Sequence, residues 1–376
     1  MSFKWITALT IFILLVFFQL QLGASLKGIA SNSLYPKQDI PFGYGIFEHM
    51  HWKEMKNKPG ANIENPYLAG ALFHIPWTAL EPSKGKLDTK MLDKFLSIWV
   101  HAGKKIILNI KTSPGGHKER NPWKESSTPQ WVYEAGALYV ESTKEGVYQR
   151  FPIYWDPIFL KEYERFVGEL ATRYDGHPGI EFIIVGPGAF GTTRVIYPQI
   201  IEKFRKVGYS DKKWFETLEK IMDIYKKAFK KTPLALGVAP FVKDPDDEDS
   251  QYNNFAIARL AAEKGFYLFY HNLRGTDHWL KSPYPLFFAS IGSKTKIALG
   301  LDNPSSLNEK FRKTYGDPLT TVQYAFGGLK DLPIINTCYI VLYAPDVEAA
   351  TPGSKCYKKE YEDAMQWALE RLKKKL

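Results

Sequence analysis

The side chains with the clearest capacity for chemistry follow short apolar runs in the second half of the chain. His271, Asn272 and Arg274 come after one such run, and Asp302 comes directly after the next. A guanidinium has planar donors that match a carboxylate or a sulfate, so Arg274 is a candidate for holding an acidic group of a ligand. The alternative is a salt bridge from Arg274 to Asp277 or Asp302, and in the latter case Asp302 stays ionised.

Comparable side chains follow the first and last apolar runs. Glu48, His49, His51 and Trp52 come after the first run, and Asp346 comes after the last. The two histidines flank a methionine, but no third ligand stands at a metal-binding spacing, so no metal site is predicted. Three aromatic residues near the ends of other runs are candidates either for ligand contact or for core packing: Trp77, Trp131 and Tyr270.

Eight short apolar runs recur through the chain. Most lack polar alternation, which is typical of strands buried on both faces. Their mean spacing of roughly 42 residues is too long for hairpins and suits strand–helix units. The runs are Phe42–Phe47, Leu68–Ile75, Lys105–Ile110, Ile180–Val185, Leu234–Val238, Gly265–Tyr270, Lys296–Leu301 and Cys338–Tyr343.

Apolar stripes at helical spacing fill several gaps between these runs, such as 92–100, 159–174, 218–225, 255–260, 322–329 and 361–372. One stripe per helix fits an outer ring packed on a buried sheet. The predicted fold class is therefore α/β, a single-domain (β/α)8 TIM barrel over residues 25–376. A doubly wound open sheet is the rival fold, but Gly43-Tyr44-Gly45 does not supply the G-x-G-x-x-G turn that it would need. Thr112–Asp156 is predicted to be a long loop after the third strand.

Residues 1–24 have the three-part layout of a secretory signal. A short positive start precedes an uncharged stretch, Trp5–Leu22, and small residues follow. This stretch also reaches the lower limit for a membrane span, so an uncleaved anchor is the alternative. Either predicts a secreted or extracytoplasmic protein. Cys338 and Cys356 would then meet an oxidising environment, where they either pair or remain thiols.

The overall composition excludes several classes of protein. Hydrophobic residues make up 45% and charged residues 24% of the chain, which excludes a disordered chain. The formal net charge is +10, but the basic residues are spread along the chain and no nucleic-acid-binding motif occurs. A solvated basic face is the simplest explanation, and an acidic polysaccharide partner is the alternative. The sequence does not indicate an oligomeric state.

One segment resembles a known family. Trp77–Gly85 is similar to the W-x-x-L-E-P-x-x-G turn of barrel glycoside hydrolases, above all the family 42 β-galactosidases and related members of their clan. Pro129-Gln130-Trp131-Val132 resembles the P-x-W segment of the same enzymes. The resemblance implies a carbohydrate substrate and no cofactor. It also implies an acid/base glutamate after the fourth strand and a nucleophilic carboxylate after the seventh. Within the motif, Glu81 is expected to fix its loop.

The chain departs from that family at both catalytic positions. Thr192 stands where the acid/base glutamate is expected, and a hydroxyl cannot protonate a leaving oxygen as a carboxylic acid does. Asp302 stands where a nucleophilic glutamate is expected and is one methylene shorter, so its oxygen is displaced. Glu181 begins the fourth run and should lie at the opposite end of the barrel.

Three interpretations follow, of which the first is preferred. In the first, the protein is an enzyme with Asp302 as nucleophile or base, and Glu48, Asp277 or Asp346 supplies the acid. In the second, catalysis is lost and the barrel only binds glycan. Sugar stacking would then come from Trp77, Trp131 and Tyr270, and hydrogen bonds from His271, Asn272 and Arg274. In the third, the barrel is a scaffold or interaction module.

Overall fold

The computed structural model describes residues 43–50, 57–114, 125–144, 146–242, 248–329 and 332–374. The predicted signal segment, with His51 and Trp52, lies outside these residues. Among the helices of the described residues, none combines the length and apolar character needed to cross a bilayer.

Eight parallel strands close into a barrel, as the apolar runs predict. The strands of the described chain are β1 (Gly45–His49), β2 (Leu68–Pro76), β3 (Lys105–Lys111), β4 (Tyr139–Lys144), β5 (Val147–Pro152), β6 (Ile180–Val185), β7 (Leu234–Val238), β8 (Tyr267–Leu273), β9 (Ile297–Leu301) and β10 (Thr337–Tyr343). Around the barrel the order is β1, β2, β3, β6, β7, β8, β9 and β10, which pairs again with β1. β4 and β5 form a separate antiparallel hairpin within the predicted long loop after β3.

Helices surround the barrel. In the described residues they are α1 (Trp77–Leu80), α2 (Lys90–His101), α3 (Gln130–Glu134), α4 (Pro157–Tyr174), α5 (Ile201–Lys206), α6 (Asp211–Ala228), α7 (Glu248–Glu263), α8 (Asp277–Leu280), α9 (Tyr284–Ile291), α10 (Glu309–Tyr315), α11 (Pro318–Phe326), α12 (Ala344–Ala349) and α13 (Lys359–Lys373). The predicted stripes fall on α2, α4, α6, α7, α11 and α13, except that Leu329 lies beyond the end of α11.

Two hydrophobic cores follow from the alternation of side chains along each strand. The larger core lies between the strands and the helices and includes Ile46 and Leu108. The smaller core fills the barrel and includes Phe47, Ile107 and Phe269. Neighbouring residues of one strand therefore face opposite sides, and this alternation decides which polar side chains enter the barrel.

Glu181 closes the end of the barrel at which the strands begin. Its Oε1 accepts hydrogen bonds from the Gly43 backbone N–H at 3.0 Å and from the Tyr339 hydroxyl at 2.8 Å. Lys105 Nζ lies 3.1 Å from Oε2. These partners lie just before β1 and near the starts of β3 and β10. Glu181 is therefore far from the carboxyl ends of the strands, as predicted.

The two cysteines do not form a disulfide. Cys338 is a buried thiol on β10, and Cys356 is an exposed thiol before α13. The alternative of two thiols, which the sequence left open, is the one observed.

Candidate active site at the carboxyl ends of the strands

Three histidines and a tyrosine lie together near the carboxyl ends of the barrel strands. The His49 ring centroid is 4.6 Å from that of His74, 4.9 Å from that of His271 and 4.7 Å from that of Tyr343. A Cβ at Gly300 would lie 2.5 Å from Cδ2 of His271, so glycine makes room for this ring. These side chains form the polar floor of this end of the barrel, which we call the mouth.

Asn109 fixes the tautomer of one histidine. Its Nδ2 donates to the carbonyl oxygens of Ile184 at 3.2 Å and Gly191 at 3.4 Å, so its Oδ1 is an acceptor. His74 Nδ1 lies 2.9 Å from that Oδ1 and therefore carries a hydrogen. Gly191 has φ +73°, and a Cβ there would lie 2.1 Å from Asn109 Oδ1, so only glycine fits.

Asp302 is the predicted catalytic carboxylate, and it lies just after β9 with 18% of its side chain exposed. Arg274 Nε donates to its Oδ2 at 2.7 Å, and Nη2 contacts the same oxygen. With the Asn272 amide nitrogen oriented toward Asp302, it donates to Oδ1 at 2.9 Å. A carboxylate whose oxygens accept hydrogen bonds from a guanidinium and an amide is arranged as a nucleophile or base and not as an acid. The salt-bridge alternative for Arg274 is thus the one observed.

Thr192, the position of the expected acid, lies in a tight turn after β6. Its Oγ1 donates to the Ala189 carbonyl at 2.8 Å and accepts from the Arg194 N–H at 3.2 Å. Phe190, within the turn, has φ +61°, an uncommon conformation for a residue with a side chain. A Cβ at Gly188 would lie 1.9 Å from the Arg194 carbonyl oxygen. The Thr192 hydroxyl therefore fixes the turn.

The structure does not bring Glu48 into the mouth. β1 ends at His49, two residues later than the apolar run predicts, so Glu48 belongs to the strand itself. Since Ile46 faces the outer core and Phe47 the barrel interior, Glu48 faces outward. There its Oε2 accepts a hydrogen bond from Asn62 Nδ2 at 2.7 Å.

The other two predicted acids also lie elsewhere. Asp277 is on α8 with 78% of its side chain exposed and forms an ion pair with Lys281 at 3.5 Å. Asp346, predicted to bind substrate, is buried and accepts hydrogen bonds from the N–H groups of Ser305 at 3.2 Å and Ser306 at 2.8 Å. It thereby holds the segment that follows Asp302.

Asp346 gives the fold a pH-dependent stability. Burial raises the pKa of Asp346 from 3.8 to about 6, outweighing the hydrogen bonds from Ser305 and Ser306 that favour the anion. A carboxyl group whose pKa is higher in the folded than in the unfolded chain stabilises the fold when the pH lies below the unfolded pKa. That stabilisation is lost as the pH rises through about 6. In the unchanged protein this contribution lowers the free energy of unfolding by at most about 3 kcal/mol between pH 4 and 7, and we expect Asp346→Asn to abolish that decline. Urea unfolding at both pH values measures it.

The exposed Asp277 supplies the control for that measurement. Asp277→Asn should leave the pH dependence of the unfolding free energy as it is in the unchanged protein. Equal slopes for the Asp346→Asn variant and the unchanged protein would contradict the assignment.

The Trp77–Gly85 motif builds a buried hydrogen-bonded cluster around Glu81. Trp77 is fully buried, and its Nε1 donates to Glu81 Oε2 at 2.9 Å. Glu81 Oε1 accepts from the Gly85 N–H at 2.6 Å and from Arg165 Nη2 at 2.6 Å. Trp131 Nε1 donates to the Glu81 carbonyl oxygen at 3.1 Å. Glu81 thus fixes its loop, and both tryptophans belong to this support.

Glu81→Gln should destabilise the fold without changing the chemistry of the mouth. The amide retains the shape but removes the fully buried one of the three carboxylates that Arg165 contacts, the others being Glu162 and Glu169, so we expect a loss of about 1–3 kcal/mol. Glu169→Gln is the matched control, because Glu169 bonds the same guanidinium at the surface, and it should cost under about 0.5 kcal/mol. Urea unfolding midpoints measure both. Equal losses would mean that Glu81 has no special role.

Tyr270 packs in the wall of the barrel. It is buried, and its ring centroid is 4.1 Å from that of Tyr284. Its hydroxyl lies 3.4 Å from the Asn272 amide. Tyr270 is thus positioned to support the Asn272–Asp302 contact and not to stack on a sugar face.

Two cationic side chains of the mouth received no role from the sequence. Arg194 follows Thr192 by two residues, and the charge of Asp302 acts on it, so the segments after β6 and β9 lie near each other. Lys111 ends β3 on the same side of the strand as Ile107 and Asn109. The alternation of β3 could have indicated Lys111, whereas no local pattern indicates Arg194. Within the described residues, no three His, Cys, Asp or Glu side chains are grouped as metal ligands.

Comparison with known families agrees with this geometry. The β-galactosidase family of glycoside hydrolases, family 42, matches residues 68–230, from β2 to the end of α6. The match covers less than half of the chain and shows a likeness to these barrel glycoside hydrolases over that segment. The matched segment contains the glycoside hydrolase motif around Glu81 and the Thr192 turn, and it ends before Asp302. None of the curated proteins compared with the chain matches it.

A solved structure shows the same fold. The catalytic domain of a β-amylase from Paenibacillus polymyxa superposes with a TM-score of 0.59 at 9% sequence identity, over 88% of this chain and 100% of that domain. At this identity the likeness concerns the (β/α)8 fold alone. It agrees with a barrel that continues beyond the matched family segment.

Proposed function

We propose that this protein is an exported glycoside hydrolase in which Asp302 is the nucleophile that attacks the anomeric carbon. The observation that carries the proposal is the Arg274–Asp302–Asn272 cluster at the carboxyl end of β9. Barrel enzymes have their active sites at this end of the strands. Export is proposed on the signal-like pattern of residues 1–24 alone.

The proposed chemistry depends on the single carboxylate Asp302 and not on a pair of carboxyl groups. None of the predicted acids enters the mouth, since Glu48 faces outward, Asp277 is on the surface and Asp346 holds a loop. Asp302 forms a bond to the anomeric carbon as the bond to the aglycone breaks, and water then hydrolyses this glycosyl ester, which releases the sugar and restores Asp302. The attack itself requires no proton transfer, whereas departure of the aglycone normally requires an acid. The proposed substrates therefore have leaving groups that depart without full protonation.

A second candidate function is glycan binding without hydrolysis. The observation that favours it is Thr192, whose hydroxyl is engaged within its own turn at the position of the expected acid. The polar floor of the mouth would then bind sugar hydroxyls.

Hydrolysis and binding can be separated in one experiment. We expect the full chain to release the aryl group from at least one member of a panel of 2,4-dinitrophenyl glycosides. Titration calorimetry on the corresponding free sugars runs in parallel. Binding without release would favour the second candidate, and neither binding nor release would contradict both.

A further inference from the structure

The side chain of Arg194 is half-buried at the mouth and forms no salt bridge with any described residue. Its Nε is buried and has no hydrogen-bond partner. Its planar group lies 5.9 Å from the centroid of the Phe190 ring. Burial lowers the pKa of Arg194, which the nearby groups Tyr284, Tyr270, Tyr197 and Asp302 partly offset. Asp302 itself is already paired with Arg274.

Lys111, at the end of β3, is a second cation that forms no ion pair with a described residue. It is the last residue of β3, and the alternation Ile107, Asn109, Lys111 directs it to the barrel side of the strand. No carboxylate of the described residues lies within ion-pair distance of its Nζ. Burial alone lowers the pKa of Lys111 to about 8, so the ammonium form still predominates at pH 7.

The two cations come from neighbouring segments. β3 and β6 are adjacent, with Asn109 opposite Ile184. The Thr112 hydroxyl donates to the Pro187 carbonyl at 2.5 Å and so joins the end of β3 to the turn that carries Arg194. Both segments therefore border the same side of the mouth.

The charges of these side chains do not balance. Arg194, Lys111 and Arg274 carry three positive charges, and Asp302 carries one negative charge. Burying a cation without a partner is costly, and cations that line a concave opening concentrate a positive potential there. An anionic ligand group would reduce this imbalance.

We propose that the mouth receives a sugar bearing an anionic group, a carboxylate or a sulfate, that Arg194 binds this group, and that Lys111 adds a positive charge from the neighbouring strand end. The proposal rests on the proposed function in taking the mouth as the sugar site. The guanidinium of Arg194 offers the planar pair of donors that such oxyanions accept. Arg274, the candidate from the sequence for binding an acidic ligand group, is already paired with Asp302, so Arg194 takes its place.

Calorimetry on the full-length protein tests the proposal without reference to hydrolysis. The probes are oligosaccharides derived from pectin, which carry carboxylates, from carrageenan, which carry sulfates, and from neutral galactan. Acidic probes should bind, and Arg194→Gln should weaken that binding roughly tenfold or more, since it removes a charged hydrogen-bonding group. Binding of the acidic probes should also weaken when the salt concentration is raised from 50 to 300 mM, because salt screens the attraction between the cations and the anionic group. The pectin and carrageenan arms decide between carboxylate and sulfate.

Matched variants separate this effect from loss of structure. Lys227→Gln removes one positive charge from a remote, 78% exposed site and should leave acidic probes unaffected. Lys111→Met should weaken the same probes as Arg194→Gln, while Arg194→Lys should recover part of the affinity. Unfolding midpoints show that each variant is folded.

Two outcomes would overturn the proposal. One is equal binding of neutral and acidic probes, with Arg194→Gln weakening both alike. The other is binding of neutral galactan oligosaccharides only, which would leave the proposed glycosidase intact. Binding of acidic probes without hydrolysis of any glycoside would support this inference while contradicting the proposed enzyme.

Discussion

Asp302→Asn should lower kcat/KM for an activated aryl glycoside by roughly a thousandfold or more. The amide retains the size of the side chain but cannot form the glycosyl bond. Arg274 and Asn272 would still meet an oxygen at this position, so the variant should fold and bind sugar. The measurement is the initial rate of aryl release at several substrate concentrations, together with calorimetric binding of the free sugar.

The matched control for this variant is Asp277→Asn, an identical exchange at an exposed site on α8. It should change kcat/KM less than about twofold, as expected for a surface substitution away from the site. A variant at Asp302 that retains most of the activity would show that another group attacks the sugar.

The rate should depend steeply on the leaving group. Because none of the three predicted acids lies in the mouth of the described structure, we expect 2,4-dinitrophenyl glycosides to react at least roughly a thousandfold faster than alkyl glycosides of the same sugar, since a positioned acid typically contributes 10²–10⁴-fold. Comparison of kcat/KM across aryl and alkyl glycosides of graded acidity measures this dependence. A flat dependence would show that an acid is present in the mouth.

Thr192→Glu tests the same point in the opposite direction. The carboxyl group would stand where the related enzymes have their acid, and we expect alkyl glycosides to gain roughly tenfold or more, with dinitrophenyl glycosides little changed. Thr192→Gln is the control, since it has the same length and no acidic proton. Equal gains from both variants would exclude proton donation as the cause.

The barrel could be predicted from the sequence because each strand is a short apolar run buried on both faces. The end of β1 could not, because Glu48 continues the strand with a partner, Asn62, that periodicity does not reveal. That shift of two residues moved Glu48 out of the predicted site. The position of Asp302 after β9 followed directly from the same pattern of runs.

The aromatic candidates show a different limit of sequence reasoning. Trp77 and Trp131 stand in segments that resemble a glycosidase motif, yet the Glu81 cluster that holds them is completed by Arg165, which lies 84 residues after Glu81. Arg194 is the converse case, since its importance comes from the absence of a salt bridge in the described structure. A contact between distant residues leaves no pattern in the local sequence, and neither does the absence of such a contact.

The central claim is that Asp302 forms a bond to the sugar, and a trapped intermediate tests it most directly. The protein is incubated with 2,4-dinitrophenyl 2-deoxy-2-fluoroglycosides of the sugars that it hydrolyses, digested, and analysed by mass spectrometry. We expect a stoichiometric fluoroglycosyl label on the peptide that contains Asp302, absent from the Asp302→Asn variant. A label on another carboxylate, or hydrolysis of the parent glycoside with no label at all, would contradict it.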